Sequence, residues 1–479
     1  MKKLVLSLMI LLLIGCQGEE VVEPIVKQVY TEDNFTEESL DYYMIKGTLD
    51  DEQKLIDATQ VLTYTNRETS NLDKIYMHLY PNAFSEEGQP SITGNTRGVD
   101  KYGRIEVSSI KIDGNEVEFH EGPTLTSIEI PFEFNKDTTY MIEMYYQVRI
   151  SETSERFGYD NGIYNLGNWY PILSVYDEDG WNVDPYLSIG DPFYSDMANY
   201  DVYITVPKDF IVAASGYTID IVETDTHTYH FRGDRMRDFA MVISDQFETI
   251  TERVNDTDVY LYYPKSLSKH KWLDDALSYG SDSIRLFEEL IGDYPYKTYS
   301  VVLTNFPSGM EYPGLVFISK AYLIESQVSL RTVIVHETAH QWFYSLIGDD
   351  EIDEGWIDEG LTTYFTAYYE KEIIDEETYN STMNRYKSRV DSYGFDDLVV
   401  AKTAYEFKGW NEYGASAYSK SSLVYHQLYK KYGDEKIREF AKYLYNHYAY
   451  EILKEDDLRE AIETVFGGEA GELLDTWWY

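Results

Sequence analysis

Two histidines that flank a glutamate are the residues of this sequence best suited to metal chemistry. His336, Glu337 and His340 lie in the apolar stretch VIVHETAHQW. On a helix, residues four apart project from one face, so the two imidazoles can hold one zinc ion. Glu337 points to the side of this pair, where it can reach a water molecule instead of the metal. The pattern predicts a helix from Ser329, as its N-cap, to about Leu346.

A catalytic zinc site needs a third protein ligand, and seven carboxylates lie between Asp349 and Glu359. Because acidic residues are favoured in loops and at helix N-termini, we interpret most of these carboxylates as loop and helix-start charge. A second helix is predicted from about Gly355, and on it Glu359 shares a face with threonines that suit a partly buried carboxylate. This pattern favours Glu359 but does not exclude Asp358. The acids expected in a solvated loop are Asp349, Asp350, Glu351 and Asp353.

Composition and charge limit the class of function. The 479 residues include 85 acidic and 40 basic ones, which gives a formal net charge of −45. Nucleic acid, a polyanion, would be repelled by such a chain, so we expect no nucleic-acid partner. A hydrophobic content of 43% with 16% aromatic residues predicts a folded protein, and the length predicts two or three domains.

The N-terminus resembles a bacterial lipoprotein signal. A basic start and an apolar run from Leu4 to Ile14, too short to span a bilayer, end in Leu-Ile-Gly-Cys at Cys16. We expect a signal peptide over 1–15, acylation of Cys16 and an acidic spacer over 16–40; the alternative is an ordinary secretory signal. The expected location is the bacterial cell envelope, outside the cytoplasm and anchored to the membrane by lipid. Because Cys16 is the only cysteine, a metal site must use His, Asp or Glu.

The remaining sequence divides into a β-rich and an α-rich part. Alternating β-branched and aromatic residues, as in Tyr140–Ile150, predict many short strands, and Asp113-Gly114 predicts a hairpin turn. Beyond about Leu267 the apolar spacing becomes mainly helical. The sequence therefore predicts a multi-domain α+β protein, with a β-rich domain over 41–250 and an α-rich domain with a small sheet over 251–479.

Several motifs together resemble the gluzincin zinc metalloaminopeptidases of the aminopeptidase N and leukotriene-hydrolase type. The histidine pair is followed, after eighteen residues, by Glu359 in the family's Trp-x-x-Glu-Gly context, formed here by Trp356, Glu359 and Gly360. The stretch GDYPYKTYSVVLTNFPSGMEYPGLVFIS is similar to the family's Gly-x-Met-Glu-Asn segment, and AYSKSSLVYHQL to its catalytic-tyrosine segment. The resemblance implies a saddle-like or sandwich-like β domain followed by a thermolysin-like catalytic domain.

The resemblance also implies the roles of the metal-site residues. One zinc ion per chain would be held by His336, His340 and Glu359, which leaves a position open for water. Glu337 would be the general base, and Tyr418 would donate a hydrogen bond to the developing oxyanion.

A second set of implied roles concerns the substrate. Glu311, with Gly309 and Met310, would bind the free amino group of a peptide. The motif departs from the family pattern, because Tyr312 replaces the Asn and the first Gly is also missing. In this family the β-rich domain also helps to bind the amine, and we expect the unassigned residue within 159–171.

These implications make a zinc aminopeptidase acting on peptide N-termini the expected function. The nearest alternative is a zinc endopeptidase with an open cleft, because the C-terminal helical domain of many family members is absent from this sequence. A less favoured alternative is a non-catalytic peptide-binding lipoprotein.

Overall fold

The computed structural model describes residues 40–88 and 102–479. The predicted signal peptide, Cys16 and all of the predicted spacer except Leu40 lie outside the described residues. Among the helices of the described residues, none is both long and apolar enough to span a bilayer.

The strands occupy most of the first half of the described chain. In chain order they are β1 (Asp41–Asp50), β2 (Leu55–Thr65), β3 (Leu72–His78), β4 (Arg104–Ile112), β5 (Asn115–Glu116), β6 (His120–Glu121), β7 (Ser127–Phe134), β8 (Thr139–Arg149), β9 (Phe157–Asp160), β10 (Ile163–Leu166), β11 (Ile172–Leu173), β12 (Tyr176–Asp177), β13 (Gly180–Trp181), β14 (Ala198–Pro207), β15 (Ile211–Ala214), β16 (Tyr217–Glu223), β17 (Thr226–Met236), β18 (Met241–Ser244), β19 (Phe247–Val254), β20 (Thr257–Pro264), β21 (Thr298–Thr304), β22 (Gly309–Met310) and β23 (Leu315–Ser319).

The strands up to β18 form the predicted β-rich part. Its largest sheet has the strand order β16-β17-β14-β1-β2-β8-β4-β5, and two four-stranded sheets have the orders β15-β18-β10-β9 and β11-β3-β7-β6. Exposed or half-exposed residues alternate with buried ones along β8, as its period-two pattern predicts. The predicted hairpin turn is also confirmed, since Asp113 and Gly114 join β4 to β5 with φ values of 50° and 78°.

A five-stranded sheet with the order β19-β20-β21-β23-β22 opens the second part of the fold. The predicted domain boundary between residues 250 and 251 falls inside β19, because this sheet begins at Phe247. β22 is an edge strand that pairs antiparallel with β23, with Gly309 opposite Ile318. One side of β22 is therefore free of a strand partner among the described residues.

In chain order the helices are α1 (Leu273–Leu290), α2 (Lys320–Glu325), α3 (Gln327–Ala339), α4 (Trp356–Tyr369), α5 (Glu376–Tyr393), α6 (Trp410–Tyr413), α7 (Ser421–Tyr432), α8 (Asp434–Tyr448), α9 (Glu455–Phe466) and α10 (Glu469–Trp478). From α1 onward most of the chain is helical, with β21, β22 and β23 between α1 and α2, and this confirms the predicted change from strands to helices.

The helix that carries the histidine pair differs from its predicted bounds at both ends. Its N-cap is Ser326, whose hydroxyl accepts a hydrogen bond from the amide of Ser329, so the prediction of Ser329 as N-cap was wrong. The helix ends at Ala339 and not at Leu346. The apolar residues beyond Ala339 are buried in turns, and hydrophobic periodicity does not distinguish a buried turn from a buried helix.

Arg237 joins the β-rich part to the turns that follow α3. Its buried guanidinium donates hydrogen bonds to the carbonyl oxygens of Tyr344 (2.9 Å), Leu346 (3.4 Å) and Glu451 (2.7 Å). A fourth bond, to the carbonyl of Ser195 at 3.0 Å, returns to the β-rich part. One side chain thus satisfies backbone acceptors from three separate segments, and this holds the turns in place.

Asp238, the next residue, is a buried carboxyl at the same junction. It accepts hydrogen bonds from the Tyr344 hydroxyl at 2.8 Å and from the Asn168 amide at 3.4 Å. Burial raises the pKa of Asp238 to about 7. In the unfolded chain an aspartate ionises near pH ~3.9. Between these pH values the folded state holds a proton that the unfolded state has lost, so this group lowers stability as the pH rises.

Substituting Asp238→Asn should therefore flatten the dependence of stability on pH. A single proton of this kind lowers the free energy of unfolding by up to about 1.4 kcal/mol per pH unit. We expect the wild-type protein to lose more stability than the variant between pH 5 and pH 8, measured by urea unfolding. Asp225→Asn, at an exposed turn between β16 and β17, is the control. A variant profile parallel to the wild-type profile would contradict the assignment.

Candidate active site and metal centre

Three side-chain atoms from α3, its C-terminus and α4 converge at one point. His336 lies in the last turn of α3, His340 is its C-cap, and Glu359 lies in the first turn of α4. The two Nε2 atoms are 3.3 Å apart, and Glu359 Oε2 is 3.2 Å from that of His336 and 3.5 Å from that of His340. Tetrahedral zinc with bonds of about 2.0–2.1 Å separates its donor atoms by about 3.3 Å. The three atoms therefore fit a zinc ion.

The second nitrogen of each imidazole is held by neighbouring oxygens. His340 Nδ1 lies 2.9 Å from the carbonyl oxygen of Phe343, and His336 Nδ1 lies 3.4 Å from the Thr366 hydroxyl. When Nδ1 carries the proton and donates to these oxygens, Nε2 presents its lone pair to the metal. The carbonyl of Phe343 is available for this contact because the chain has left α3 at Ala339.

Asp358, which the sequence pattern left open as the third ligand, lies on the other side of His340. Its Oδ2 is 3.3 Å from His340 Nδ1, and its Oδ1 accepts a hydrogen bond from the amide of Glu359. Asp358 therefore orients a ligand, whereas Glu359 completes the donor set. Glu359 Oε2 has no hydrogen-bond partner among the described residues although it is buried, which also fits a bound cation.

The protonation states of two of the three donors, Glu359 and His336, suit a metal. Burial alone would raise the pKa of Glu359, but the neighbouring imidazoles of His336 and His340 hold it at about 2. Burial lowers the pKa of His336 and so favours its neutral form. Burial would also lower the pKa of His340, but Glu311 and the other carboxylates around it raise the pKa above its usual value. An ionised carboxylate and a neutral imidazole are the metal-binding forms, and a bound cation would relieve the excess negative charge.

Glu337 stands beside the donor set without belonging to it. Burial raises its pKa to about 8, and its carboxylate faces the same cavity as the ligands. Gly309 on the edge strand lies against this carboxylate, and a Cβ at that position would overlap Glu337 Oε1. The glycine is therefore needed for the strand to approach the site so closely.

Tyr418 reaches the site from a π-helical segment, Gly414–Lys420, that precedes α7. Its hydroxyl donates a hydrogen bond to Glu359 Oε1, and its ring stacks on His336 with centroids 5.8 Å apart. Gly360 allows this approach, because it lies against Ser421 at the start of α7. A phenol donor thus stands next to the metal donors.

A cavity of about 740 Å³ opens onto these residues. Gly309 and Glu311 line the cavity, as predicted for substrate-binding residues. Met310 is fully buried and does not line the cavity. Glu311 Oε1 is buried with no partner among the described residues, and Glu311, Glu337 and His340 each have a ligand atom within 4.8 Å of the others.

The residues of the β-rich part that line the cavity are not those predicted. No residue within 159–171 lines the cavity, whereas Asp191 does. Gly167 in the predicted range lies against the hydroxyl of Tyr312, which fills the position of the family's Asn. The prediction missed Asp191 because it is one of 85 acidic residues with no distinctive context, and only folding brings it to Glu311.

Two acids that were predicted to lie in a solvated loop are buried. Asp349 is 4% exposed and Glu351 is 2% exposed, and neither carboxylate has a hydrogen-bond partner among the described residues. Asp358 is buried as well but lies in the first turn of α4, so the interpretation as loop charge was wrong for Asp349 and Glu351. Ligand atoms of Asp191, Glu311 and Glu351 lie within 4.8 Å of one another. Local composition does not encode this burial, which depends on the contact with the β-rich part.

The fold combines a β-rich part, a small sheet, and helices that carry a His-His-Glu site, and this arrangement resembles that of the gluzincin metallopeptidases. Residues 276–477 match the model of the peptidase family M1 domain. Two histidines and a glutamate are a donor set that zinc takes in catalytic sites, so the residues present fit zinc.

Individual relatives agree with the match to the peptidase family M1 model. Aminopeptidase N of Lactobacillus helveticus is 25% identical over 282 residues, which cover 53% of this chain and 33% of the relative. Aminopeptidase N of Lactobacillus delbrueckii subsp. lactis is 22% identical over 401 residues, which cover 78% of this chain and 45% of the relative. The match thus spans less than half the length of each of these two relatives. The crystal structure of an M1 zinc metallopeptidase from Deinococcus radiodurans has the same fold, with a TM-score of 0.65 and 18% identity over 92% of this chain and 93% of that one.

The donor set predicts which substitutions release the metal. Glu359→Gln removes an anionic ligand and should lower the zinc content of the purified protein to well under one equivalent. Glu337→Gln changes a neighbouring carboxylate outside the donor set and should leave about one equivalent bound. Elemental analysis after dialysis against a weak chelator measures both. Equal zinc contents in the two variants would contradict the assignment of Glu359.

Proposed function

We propose that this protein is a zinc-dependent aminopeptidase that removes residues from the N-terminus of peptides. The observation that carries the proposal is the position of Glu311, an unpartnered buried carboxylate whose ligand atom lies within 4.8 Å of those of Glu337 and His340. A carboxylate so close to a hydrolytic metal site can bind an ammonium group and place the adjacent peptide bond at the metal.

Zinc in this site would polarise the scissile carbonyl and lower the pKa of a water molecule. Glu337 would take the proton of the attacking water and pass it to the leaving amine, a role that its raised pKa suits. Tyr418 would donate its hydroxyl hydrogen to the carbonyl oxygen as negative charge develops there.

Asp191 gives Glu311 a second carboxylate for binding the substrate amine. Both residues line the cavity, and they reach it from different parts of the fold. Arg156 already pairs with Asp191 at 2.6 Å, so the two carboxylates together hold more negative charge than the protein neutralises. A substrate ammonium would supply the missing positive charge.

The edge strand provides a surface for the substrate backbone. Among the described residues β22 has a strand partner on one side only, and its Gly309 faces Glu337. An extended peptide can add to such an edge through backbone hydrogen bonds.

The proposal predicts a strict requirement for a free amino terminus. Fluorogenic peptides with a free terminus should be cleaved at least about 100-fold more efficiently than their N-acetylated forms, because acetylation removes the charge that Glu311 binds. Glu311→Gln should lower kcat/KM for free peptides, whereas Glu325→Gln, at an exposed position of α2, should not.

Two results would overturn this function. Equal cleavage of acetylated and free peptides would indicate an endopeptidase. Zinc-loaded protein that binds peptides without turnover would indicate a binding protein. Glu337→Gln should abolish turnover whether the protein is an aminopeptidase or an endopeptidase, since both reactions need the general base.

We further propose that an acylated Cys16 anchors the protein to the bacterial membrane, outside the cytoplasm. The support is the sequence pattern alone, because the residue lies outside the described part of the chain. In a bacterial host, the full-length protein should sediment with membranes, and Cys16→Ala should move it to the soluble fraction. A variant that stays with the membrane after a high-salt wash would contradict acylation at this residue.

A further inference from the structure

Two arginines on α5 line the same cavity as the metal donors. Arg385 and Arg389 are four residues apart and therefore project from one face of the helix. Both side chains are exposed to the cavity and its mouth. Neither belongs to the metal site or to the amine-binding carboxylates described above.

The two guanidinium groups have no acidic partner. Among the described residues, no carboxylate oxygen lies within 4.0 Å of either group, in a chain with 85 acidic and 40 basic residues. Lys387, between them on the same helix, does pair with Asp391 at 2.6 Å. Arg156, the other arginine of the cavity, pairs with Asp191. Of the three described arginines that line the cavity, Arg385 and Arg389 are therefore the two without a carboxylate partner.

The surroundings hold the two guanidinium groups in place but leave most of their donors free. Arg385 lies 5.6 Å from the centre of the Tyr386 ring. Arg389 donates one hydrogen bond, to the carbonyl of Asn411 at 3.4 Å, and packs against Gly414. Because a guanidinium has five N–H donors, each group can still bind a carboxylate in a bidentate manner.

Acidic and basic side chains reach the cavity from different elements of the fold. The carboxylates of Glu311 and Asp191 come from the loop after β22 and from the β-rich part, whereas the arginines come from α5, which packs against the segment that carries Tyr418. The cavity therefore offers one group of negative charges and a separate group of positive charges. A short peptide with two free ends carries the complementary pair.

We propose that Arg385 and Arg389 form a subsite for a substrate carboxylate, and that the preferred carboxylate is the free C-terminus of a peptide of a few residues. This inference rests on the proposed aminopeptidase function. A cavity of about 740 Å³ lies in the range that encloses a drug-sized ligand, which is the size of a tripeptide or tetrapeptide. An acidic side chain of the substrate offers the same chemistry and is the second source of the carboxylate.

The test compares trialanine with trialaninamide. Their amino termini and scissile bonds are identical, so the ratio of their kcat/KM values reports the C-terminal carboxylate alone. We expect the free acid to be preferred by about tenfold or more at low salt, with the difference mainly in KM. Because the arginines are exposed, the preference should decrease as salt is added.

Substitutions then test whether the two arginines cause the preference for a free C-terminal carboxylate. In the double variant Arg385→Gln/Arg389→Gln the ratio should fall to near one. Lys387→Gln removes a positive charge from the same helix outside the cavity lining and should leave the wild-type ratio unchanged. Amidated peptides with Glu as the second or third residue identify the source of the carboxylate. If the wild-type protein cleaves these peptides efficiently and the double variant does not, the arginines bind an acidic side chain of the substrate. This result still supports the subsite.

Two results would overturn the subsite: a wild-type ratio near one with no gain from acidic side chains, or a preference that the folded double variant retains. If the double variant does not fold, the wild-type ratio and its dependence on salt test the subsite instead. If no peptide is hydrolysed, the proposed function fails by itself. Calorimetric binding of trialanine against trialaninamide to the zinc-loaded protein then tests the subsite separately.

Discussion

Glu311, Glu337 and Glu359 are all buried around one histidine pair, and an ionised carboxylate in such a place is costly unless a cation accompanies it. Arg156 compensates Asp191 and the histidine pair lies beside Glu359, but no lysine or arginine of the described residues pairs with Glu311 or Glu337. Zinc at the donor set and an ammonium group at Glu311 would supply the missing charge. The site is therefore incomplete without its ligands, and that need for positive charge would explain both the metal and the proposed recognition of a peptide amino terminus.

The end of α3 determines the geometry on which this site depends. If the helix continued beyond Ala339, the carbonyl of Phe343 would be used within the helix and could not orient His340. The early end requires a buried turn, and the turn needs acceptors satisfied from outside. Arg237 meets that need at Tyr344 and Leu346. An arginine from the β-rich part thus supports the metal site indirectly, through the backbone of the turn.

Spacing along the chain was enough to predict the parts of the site that lie on single helices. The interval between His336 and His340 places two imidazoles on one face, and the change from strands to helices follows from periodicity. Periodicity could not decide whether Glu359 or Asp358 is the third metal ligand. The two residues are adjacent in α4, and they differ in which nitrogen of His340 their carboxylates approach. Asp191 could not be predicted, because about 120 residues separate it from Glu311 and only packing joins them. The burial of Asp349 and Glu351 is likewise a tertiary property.

The net charge of −45 bears on how such a cavity selects its substrates. Long-range attraction would favour cationic peptides, but at physiological salt the Debye length is about 8 Å, so distant surface charges contribute little inside the cavity. Recognition then depends on charges within a few ångströms of the substrate. If the proposed subsites bind as inferred, a zwitterionic peptide would gain from Glu311 at one end and from Arg385 and Arg389 at the other, while the overall field would act on it weakly. Separate local charges can therefore select short peptides by the distance between their two ends, a property that net charge alone cannot provide.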